Sequence, residues 1–179
     1  MKKIILSAVA VLAFGFTNAQ STKFGVKTAL NVANVTGDVE KSSSLVGFQV
    51  GGFVEFKVSE KFAVQPELMY SAQGGKSDNA KTSLNYLNIP VMAKYYVAKA
   101  FNVEAGPQIG FLLSAKSEGV DTKEFYKSAN FGFNLGAGYD FTENLSAGLR
   151  YNLGLSNILK EEGFKVKNNV LSVSLGYKF

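Results

Sequence analysis

The sequence predicts an all-β fold, an eight-stranded antiparallel up-and-down transmembrane β-barrel. Apolar and polar residues alternate from Asn169 to Phe179, eight segments of this kind follow position 19, and the connections between them alternate between long and short. A strand that faces lipid on one side and a narrow polar interior on the other needs this period of two. The last segment presents Leu175, Tyr177 and Phe179 on one face, and we expect it to close the barrel onto the first strand.

A secretory signal precedes the predicted barrel. Lys2 and Lys3 are followed by the apolar run Ile4 to Phe16, and Thr17-Asn18-Ala19 then offers small residues to a signal peptidase. The run is too short for a membrane helix, and no later stretch reaches the roughly 18 apolar residues that such a helix needs. We expect residues 1–19 to be a cleaved signal peptide and residues 20–179 to form one outer-membrane barrel domain, with an uncleaved anchor as the alternative.

The composition excludes several classes of function. The chain has no cysteine, so the exported protein forms no disulfide and carries no lipid on an N-terminal cysteine. Removing Lys2 and Lys3 lowers the formal net charge from +5 to +3. No cluster of Lys and Arg with interleaved aromatic residues suggests nucleic acid, and export argues against it.

The first four segments are each long enough for the roughly 9 to 11 residues that a tilted strand needs to span a bilayer. They cover Lys23 to Ala33, Leu45 to Lys57, a third segment that begins at Phe62, and a fourth that ends at Val97. Their apolar faces carry Phe24, Val26, Leu30 and Val32; then Val46, Phe48, Val50, Val54 and Phe56; then Phe62, Val64, Leu68 and Tyr70; and then Leu87, Ile89, Val91, Ala93, Tyr95 and Val97.

The last four segments repeat the pattern. The fifth begins at Phe101, the sixth at Asn130, the seventh at Leu145 and the eighth at Asn169. Their apolar faces carry Phe101, Val103, Ala105, Ile109, Phe111 and Leu113; then Phe131, Phe133, Leu135, Ala137 and Tyr139; then Leu145, Ala147, Leu149, Tyr151 and Leu153; and then Leu171, Val173, Leu175, Tyr177 and Phe179.

The connections fall into two classes. Short links follow the second, fourth and sixth segments, and four long loops follow the odd-numbered ones. Outer-membrane barrels have short periplasmic turns and longer outward loops, so we expect both termini in the periplasm. The long loops are Asn34 to Ser44, Gln73 to Ser83, Ser114 to Ser128 and Asn157 to Asn168.

Glycine favours a lipid-facing barrel over a soluble one. Alternation alone also fits a soluble barrel such as a lipocalin, because inverting the two faces preserves the pattern. A water-facing surface would carry Lys and Glu, whereas the interior of a narrow barrel needs small residues. The glycines on the polar face are Gly25, Gly47, Gly51, Gly106, Gly110, Gly132, Gly136, Gly138, Gly148, Gly154 and Gly176.

Pro66, Pro90 and Pro107 fall inside predicted strands, where proline removes a ladder donor, so we expect bulges or strand ends there. The stretches around them carry a resemblance: Gln65-Pro66-Glu67-Leu68-Met69-Tyr70, Tyr86-Leu87-Asn88-Ile89-Pro90-Val91, Gly106-Pro107-Gln108 and Arg150-Tyr151-Asn152. The chain resembles the outer-membrane β-barrel family of Bacteroidetes that includes the PorT-like proteins. The resemblance implies an outer-membrane barrel, with some relatives linked to protein secretion.

A set of ionisable residues is predicted to face the interior, with Lys57, Asp140 and Lys178 near the periplasmic rim. Paired carboxylates could perform acid and base catalysis. The structural interpretation is that charges in a narrow lumen pair and plug the barrel, with Arg150 or Lys94 bridging the carboxylates. The predicted lumen network is Lys27, Glu55, Glu67, Lys94, Glu104 and Arg150.

Enzymatic function is disfavoured because the chain has no histidine to move protons near neutral pH. Without histidine or cysteine a zinc site is also disfavoured, and nothing suggests another cofactor. Loop carboxylates could bind calcium weakly, but the spacing of an EF-hand is absent and solvated loops are the simpler interpretation. These carboxylates are Glu118, Asp121, Glu124, Glu161 and Glu162.

Two outward loops are the remaining candidate surface. Ser114 to Ser128 and Asn157 to Asn168 carry lysines beside aromatic residues, which could contact anionic lipopolysaccharide or a partner protein, although solvated loops are the alternative. The sequence therefore predicts a non-enzymatic outer-membrane protein with a structural or interaction role. Its partners would be membrane lipids, lipopolysaccharide and possible envelope or secretion proteins. A PorT-like secretion accessory is the first alternative, and a small pore is disfavoured because so narrow a barrel fills with side chains. The lysines and aromatic residues of the two outward loops are Lys116, Lys123, Phe125, Tyr126, Lys127, Lys160, Phe164, Lys165 and Lys167.

Overall fold

Eight antiparallel strands form a closed β-barrel in a computed structural model, which confirms the fold class predicted from the sequence. The structure describes residues 21–37, 42–77, 80–161, 163 and 165–179, so the predicted signal peptide, Glu162 and Phe164 lie outside the described residues. The strands are β1 (Ser21–Gly37), β2 (Ser42–Lys57), β3 (Phe62–Ser77), β4 (Ala80–Tyr96), β5 (Phe101–Ser117), β6 (Ala129–Asp140), β7 (Leu145–Gly154) and β8 (Val166–Lys178).

The barrel closes where the last strand meets the first. β8 pairs antiparallel with β1 from Gly25 opposite Lys178 to Gly37 opposite Val166. The backbone N–H of Phe179 donates to the carbonyl oxygen of Phe24 at 2.8 Å. The connections 58–61, 97–100 and 141–144 lie at the same end as this terminus, which we call the turn end. The opposite end, where the two longest connections follow β5 and β7, is the loop end.

The outward and inward faces follow the predicted alternation. On β1, Leu30 is 67% exposed on the outside whereas Asn31 is fully buried in the lumen. The glycines of the polar face point inward, where they leave room for lumen side chains. A Cβ at Gly25, for example, would overlap the ring of Phe53 and lie 2.5 Å from the carbonyl oxygen of Tyr177.

The expectation of bulges or strand ends at the prolines is wrong. Pro66 pairs with Val91, Pro90 pairs with Gln108, and Pro107 pairs with Phe133 within continuous strands. The register shifts lie elsewhere, between Ser44 and Gln49 of β2 and between Asn85 and Tyr86 of β4. Near Pro66 and Pro107 a few residue pairs of the ladder are missing, but the register is the same on both sides of each gap. The neighbouring strands therefore hold these prolines in regular strand positions.

The strands at the loop end are longer than predicted. β3 and β4 continue through most of Gln73 to Ser83, so the prediction of a loop there is wrong. β5 reaches Ser117 and pairs with a two-residue strand, Val120–Asp121. Glu118 and Gly119 join them with φ angles of 49° and 84°, the pattern of a type I′ turn. Beyond the bilayer both faces of a strand can be polar, so these extensions lack the alternation that reveals a strand.

An aromatic motif recurs at the turn end. Tyr139 and Phe141 meet edge to face with ring centroids 5.2 Å apart, and Tyr177 and Phe179 do so at 5.5 Å. The residues between them, Asp140 and Lys178, point inward and form an ion pair of 3.0 Å. The similar sequences Gly138-Tyr139-Asp140-Phe141 and Gly176-Tyr177-Lys178-Phe179 thus have similar ring geometry, with opposite charges facing each other.

Candidate functional site: the filled lumen

Eight charged side chains of the described residues form ion pairs in the lumen, in two groups that are each built from alternate strands. Each group holds two cations and two carboxylates and is therefore neutral. In narrow barrels, inward side chains from alternate strands stack in layers, and these charges follow that rule. The odd layer, from β1, β3, β5 and β7, is Lys27, Glu67, Glu104 and Arg150, and the even layer, from β2, β4, β6 and β8, is Glu55, Lys94, Asp140 and Lys178.

Glu67 is the centre of the odd layer. Its carboxylate is fully buried and accepts two hydrogen bonds from Arg150, from Nη1 at 2.8 Å and from Nη2 at 2.9 Å. The Lys27 Nζ lies 2.7 Å from Glu67 Oε1, and the Arg150 Nε donates to Glu104 Oε1 at 2.8 Å. β3 and β7 lie on opposite sides of the eight-stranded barrel, so the bond between Arg150 and Glu67 spans the lumen.

The even layer lies closer to the turn end and is centred on Glu55. The Lys94 Nζ contacts Glu55 Oε2 at 2.8 Å, and the Lys178 Nζ contacts Glu55 Oε1 at 3.3 Å and Asp140 Oδ2 at 3.0 Å. The Tyr96 hydroxyl donates to Glu55 Oε2 at 3.2 Å. A buried charge without a partner would cost several kcal/mol, and these contacts offset part of that cost.

Gln65 joins the two layers into one network. Its Nε2 donates to Glu67 Oε1 at 2.6 Å, and its Oε1 accepts from Lys94 Nζ at 3.1 Å. All six residues of the predicted lumen network therefore meet in the structure. Asp140 and Lys178, predicted at the rim, belong to the even layer, whereas the Lys57 Nζ lies 5.5 Å from the centre of the Tyr96 ring.

A band of uncharged polar side chains fills the lumen beyond the odd layer. The Asn31 Nδ2 donates to Ser71 Oγ at 3.2 Å, and the Asn152 Nδ2 donates to Asn134 Oδ1 at 2.9 Å. Further bonds join Gln73 to Ser71, Asn168 to Gln73, Asn134 to Gln108 and Gln49 to Ser172. Amide and hydroxyl groups thus occupy the middle of the barrel.

An apolar lid closes the loop end. Ile158, in the connection between β7 and β8, is 3% exposed and packs against inward residues of β4 and β5. Tyr126 and Leu159 form a β-bridge, and the Lys127 N–H donates to the Ile158 carbonyl at 2.8 Å. Burial raises the pKa of the Tyr126 phenol above its ordinary value. The lid cluster is Leu84, Tyr86, Leu112, Ala115, Ile158 and Val166.

The loop carboxylates make local contacts. The Glu118 Oε1 accepts from the Lys81 N–H at 2.6 Å, and the Asp121 Oδ1 accepts from the Lys123 N–H at 2.9 Å. In the part of the chain that the structure describes, no group of three or more Asp and Glu residues is placed to hold a metal ion. The described residues also contain no helix long and apolar enough to cross a membrane.

Sequence reasoning missed Phe53 and the lid. Phe53 is 5% exposed in the lumen, and the Lys27 Nζ lies 5.4 Å from the centre of its ring. Its neighbours Gly51 and Gly52 obscure the alternation. Phe53 nevertheless lies two residues from both Gly51 and Glu55 on the polar face, which indicates that it points inward. Leu84, Tyr86 and Leu112 carried a similar signal, because they are large apolar residues on an otherwise polar face.

Comparison of the sequence with known protein families agrees with this architecture. Residues 18–160 match the family of the outer membrane protein beta-barrel domain. The chain belongs to this family. Membership indicates the outer membrane as the location of this chain. No curated protein matches the chain in sequence.

Solved structures show the same fold. Neisserial surface protein A is 18% identical, with a TM-score of 0.64 and coverage of 89% of this chain and 100% of that chain. Ail of Yersinia pestis, solved with the heparin analogue sucrose octasulfate, is 14% identical, with a TM-score of 0.57 and coverage of 89% and 100%. The outer membrane protein AlkL, solved in lipid bilayers, is 12% identical, with a TM-score of 0.51 and coverage of 89% and 90%.

Proposed function

We propose that this barrel is a non-enzymatic structural or interaction protein of the outer membrane, with a lumen that conducts no ions. The single observation that carries the proposal is the filled lumen. Two neutral charge layers, an amide band and an apolar lid follow one another along the barrel axis. The chain contains no histidine or cysteine for proton transfer, nucleophilic attack or zinc binding, which supports a role without catalysis.

The proposed orientation places the turn end in the periplasm. Residues 1–19 would be removed as a signal peptide on export, leaving 20–179 as the barrel domain. The connections after β5 and after β7 at the loop end are longer than the turns at the other end, which supports this arrangement, because outer-membrane barrels keep their short turns periplasmic. Both termini would then be periplasmic, and the lid would face the cell exterior.

Single-channel recording in planar bilayers tests the closed lumen. We expect the folded barrel to insert and pass no steady current, because paired charges and amide groups fill its lumen and the apolar lid covers them. Heat-modifiable migration on gels would show that the inserted protein is folded. A steady conductance proportional to voltage would overturn the closed lumen and favour the small pore.

The surface beside the lid is proposed to contact envelope partners. Val120 is 67% exposed and Phe125 is 59% exposed, beside exposed lysines. Apolar side chains next to cations suit either a protein partner or an anionic glycan. Ail of Yersinia pestis was solved in complex with a heparin analogue, which is consistent with an anionic glycan as the ligand.

Photo-cross-linking in intact cells distinguishes the interaction roles. A photoreactive amino acid would replace Val120 or Phe125, with exposed Lys99 at the turn end as the control position. We expect adducts with lipopolysaccharide or envelope proteins at positions 120 and 125 that are absent at 99. Recovery of secretion components there would favour the PorT-like accessory that the family resemblance implies. Identical adducts at all three positions would contradict a specific surface at the loop end.

A further inference from the structure

The outward wall of β3, β4 and β5 changes from apolar to polar within one row of residues. Tyr70 pairs with Leu87, and Leu87 pairs with Phe111, so these side chains form one outward apolar row. In the next row toward the loop end, the Asn85 Nδ2 donates to Ser114 Oγ at 2.8 Å. Amide and hydroxyl groups are costly in hydrocarbon, so this change marks the edge of the bilayer core on this wall.

Three lysines stand on the same wall just beyond this edge. Lys76 of β3 lies directly opposite Lys81 of β4, and Lys116 of β5 lies opposite Ser83 in the neighbouring row. All three lysine side chains are exposed. Like charges directly opposite each other in a sheet repel, so an anion between Lys76 and Lys81 would stabilise this arrangement.

A fourth lysine reaches the same boundary from above. The Lys123 Nζ donates to the carbonyl oxygen of Leu113 at 2.9 Å, and Leu113 is an exposed apolar residue of the outward wall. Its ammonium group therefore lies where the apolar surface ends. Long cationic side chains commonly place their charge at the level of the lipid headgroups in this way.

The four lysines have no carboxylate partners among the described residues. Glu118 and Asp121, in the segment that follows β5, each accept a backbone N–H, from Lys81 and Lys123 respectively. None of the six ion pairs found in the described ranges involves these lysines. The opposite wall differs, because Lys167 of β8 faces Thr36 of β1 at the loop end.

We propose that Lys76, Lys81, Lys116 and Lys123 form a binding site for the phosphate groups of a glycolipid in the outer leaflet. The site lies beside the bilayer rather than on top of the barrel, at the level where a headgroup meets the acyl chains. Each lysine near an anionic membrane surface strengthens attraction to it, and four on one wall act together. This inference rests on the proposed function, because it requires the loop end to face the cell exterior.

The test measures lipopolysaccharide binding to the barrel refolded in neutral detergent. The variant Lys76→Gln, Lys81→Gln, Lys116→Gln removes three charges and keeps Lys123, whose bond to Leu113 holds the connection after β5. The matched control Lys23→Gln, Lys61→Gln, Lys99→Gln removes as many charges at the turn end. Labelled rough lipopolysaccharide, its dephosphorylated form and inorganic phosphate serve as probes, with fluorescence anisotropy as the readout.

We expect the first variant to bind lipopolysaccharide about tenfold or more weakly than the unmodified barrel, and the control variant to bind within about twofold of it. The dephosphorylated form should bind the unmodified barrel as weakly as the phosphorylated form binds the first variant. Equal binding by both variants, or by both forms of the lipid, would overturn the proposal. Competition by inorganic phosphate as strong as that by lipopolysaccharide would show a site for free phosphate and would also overturn it.

Two further measurements separate this inference from the proposed function. Heat-modifiable migration shows whether each variant folds, and single-channel recording shows whether its lumen is closed. Because the chain has no cysteine, Val120→Cys can be labelled in intact cells with a membrane-impermeant maleimide to report the orientation. A folded, closed and correctly oriented barrel that ignores lipid phosphate would contradict the lysine site alone.

Discussion

Glu67 shows how a single residue depends on the whole lumen. Its side chain is fully buried and accepts hydrogen bonds from Lys27, Arg150 and Gln65. Three strands therefore contribute donors to one carboxylate. In a site this deeply buried, removing one member of an ion pair lowers the stability of the fold far more than exchanging the whole pair for neutral groups.

Glu67→Gln should lower the free energy of unfolding by about 3 to 5 kcal/mol, because it leaves the odd layer with an unbalanced positive charge. Adding Lys27→Met restores neutrality, since Arg150 keeps Glu104 as its partner, so the double variant should recover part of the loss. Urea unfolding in phospholipid vesicles measures each step. If the effects of Glu67→Gln and Lys27→Met simply add, the two residues are not coupled.

The inward direction of Glu67 and Arg150 could be predicted from the sequence, but their contact could not. Alternation with a period of two assigns each residue to a face. Which inward residues share a layer depends on the stagger of the strands around the closed barrel, which no local pattern reveals. For the same reason the sequence placed Asp140 and Lys178 near a rim, whereas in the structure Lys178 pairs with both Asp140 and Glu55.

At the scale of elements, the lid joins two connections that the sequence treats as separate loops. The segment after β5 and the segment after β7 are linked by the bridge between Tyr126 and Leu159. The Lys160 N–H also donates to the Phe125 carbonyl at 3.0 Å. Ile158 anchors this pair to the barrel, because its side chain is buried among inward residues of the strands.

Ile158→Asp should open the lid and leave the barrel folded. A carboxylate among Leu84, Tyr86 and Leu112 would be unpaired, so the connection should leave the lumen mouth. We expect the Lys127 amide, which is bonded to the Ile158 carbonyl, to exchange with solvent about tenfold faster or more. Hydrogen exchange measures this, and Lys160→Asp, an exposed change in the same segment, is the control. Unchanged protection of Lys127 would mean that Ile158 does not hold the lid.

The elements themselves were predictable where they cross the membrane and less so beyond it. Inside the bilayer, apolar and polar neighbours alternate, and all eight strands follow from that pattern. At the loop end, Gln73 to Ser77 and Ala80 to Ser83 are strand residues with few apolar side chains, so the sequence suggested a loop. Pro66, Pro90 and Pro107 suggested interruptions, but the strands on either side maintain the register through them.

At the scale of the whole molecule, two sets of bonds hold the barrel in different directions. Backbone ladders join each strand to its neighbours, including β8 to β1. The ion pairs in the described ranges join strands two or four places apart, as Arg150 joins β7 to β5 and β3. Because the odd and even layers use different strands, every strand is tied to others by both sets. Lys178 belongs to both, since it lies in the closing strand and in the even layer.

Truncation after Tyr177 should weaken closure more than the substitution Lys178→Met. The substitution removes the ion pairs to Glu55 and Asp140 but keeps the backbone bonds of the terminus. Truncation also removes the bonds from Lys178 N–H to Asn144 O and from Phe179 N–H to Phe24 O, at 2.7 and 2.8 Å. It removes the bond from Asn144 Nδ2 to Lys178 O at 2.7 Å as well.

At about 1 kcal/mol for each lost hydrogen bond, truncation should cost about 2 to 4 kcal/mol more than Lys178→Met. Urea unfolding of the refolded proteins, with the heat-modifiable fraction on gels as a second readout, measures the difference. Equal stability of the two variants would show that the terminal backbone bonds contribute nothing. The rest of the ladder between β8 and β1 would then be enough to hold the last strand against the first. A difference of the expected size would instead show that the hydrogen bonds of the final two residues contribute to closure independently of the lumen charges.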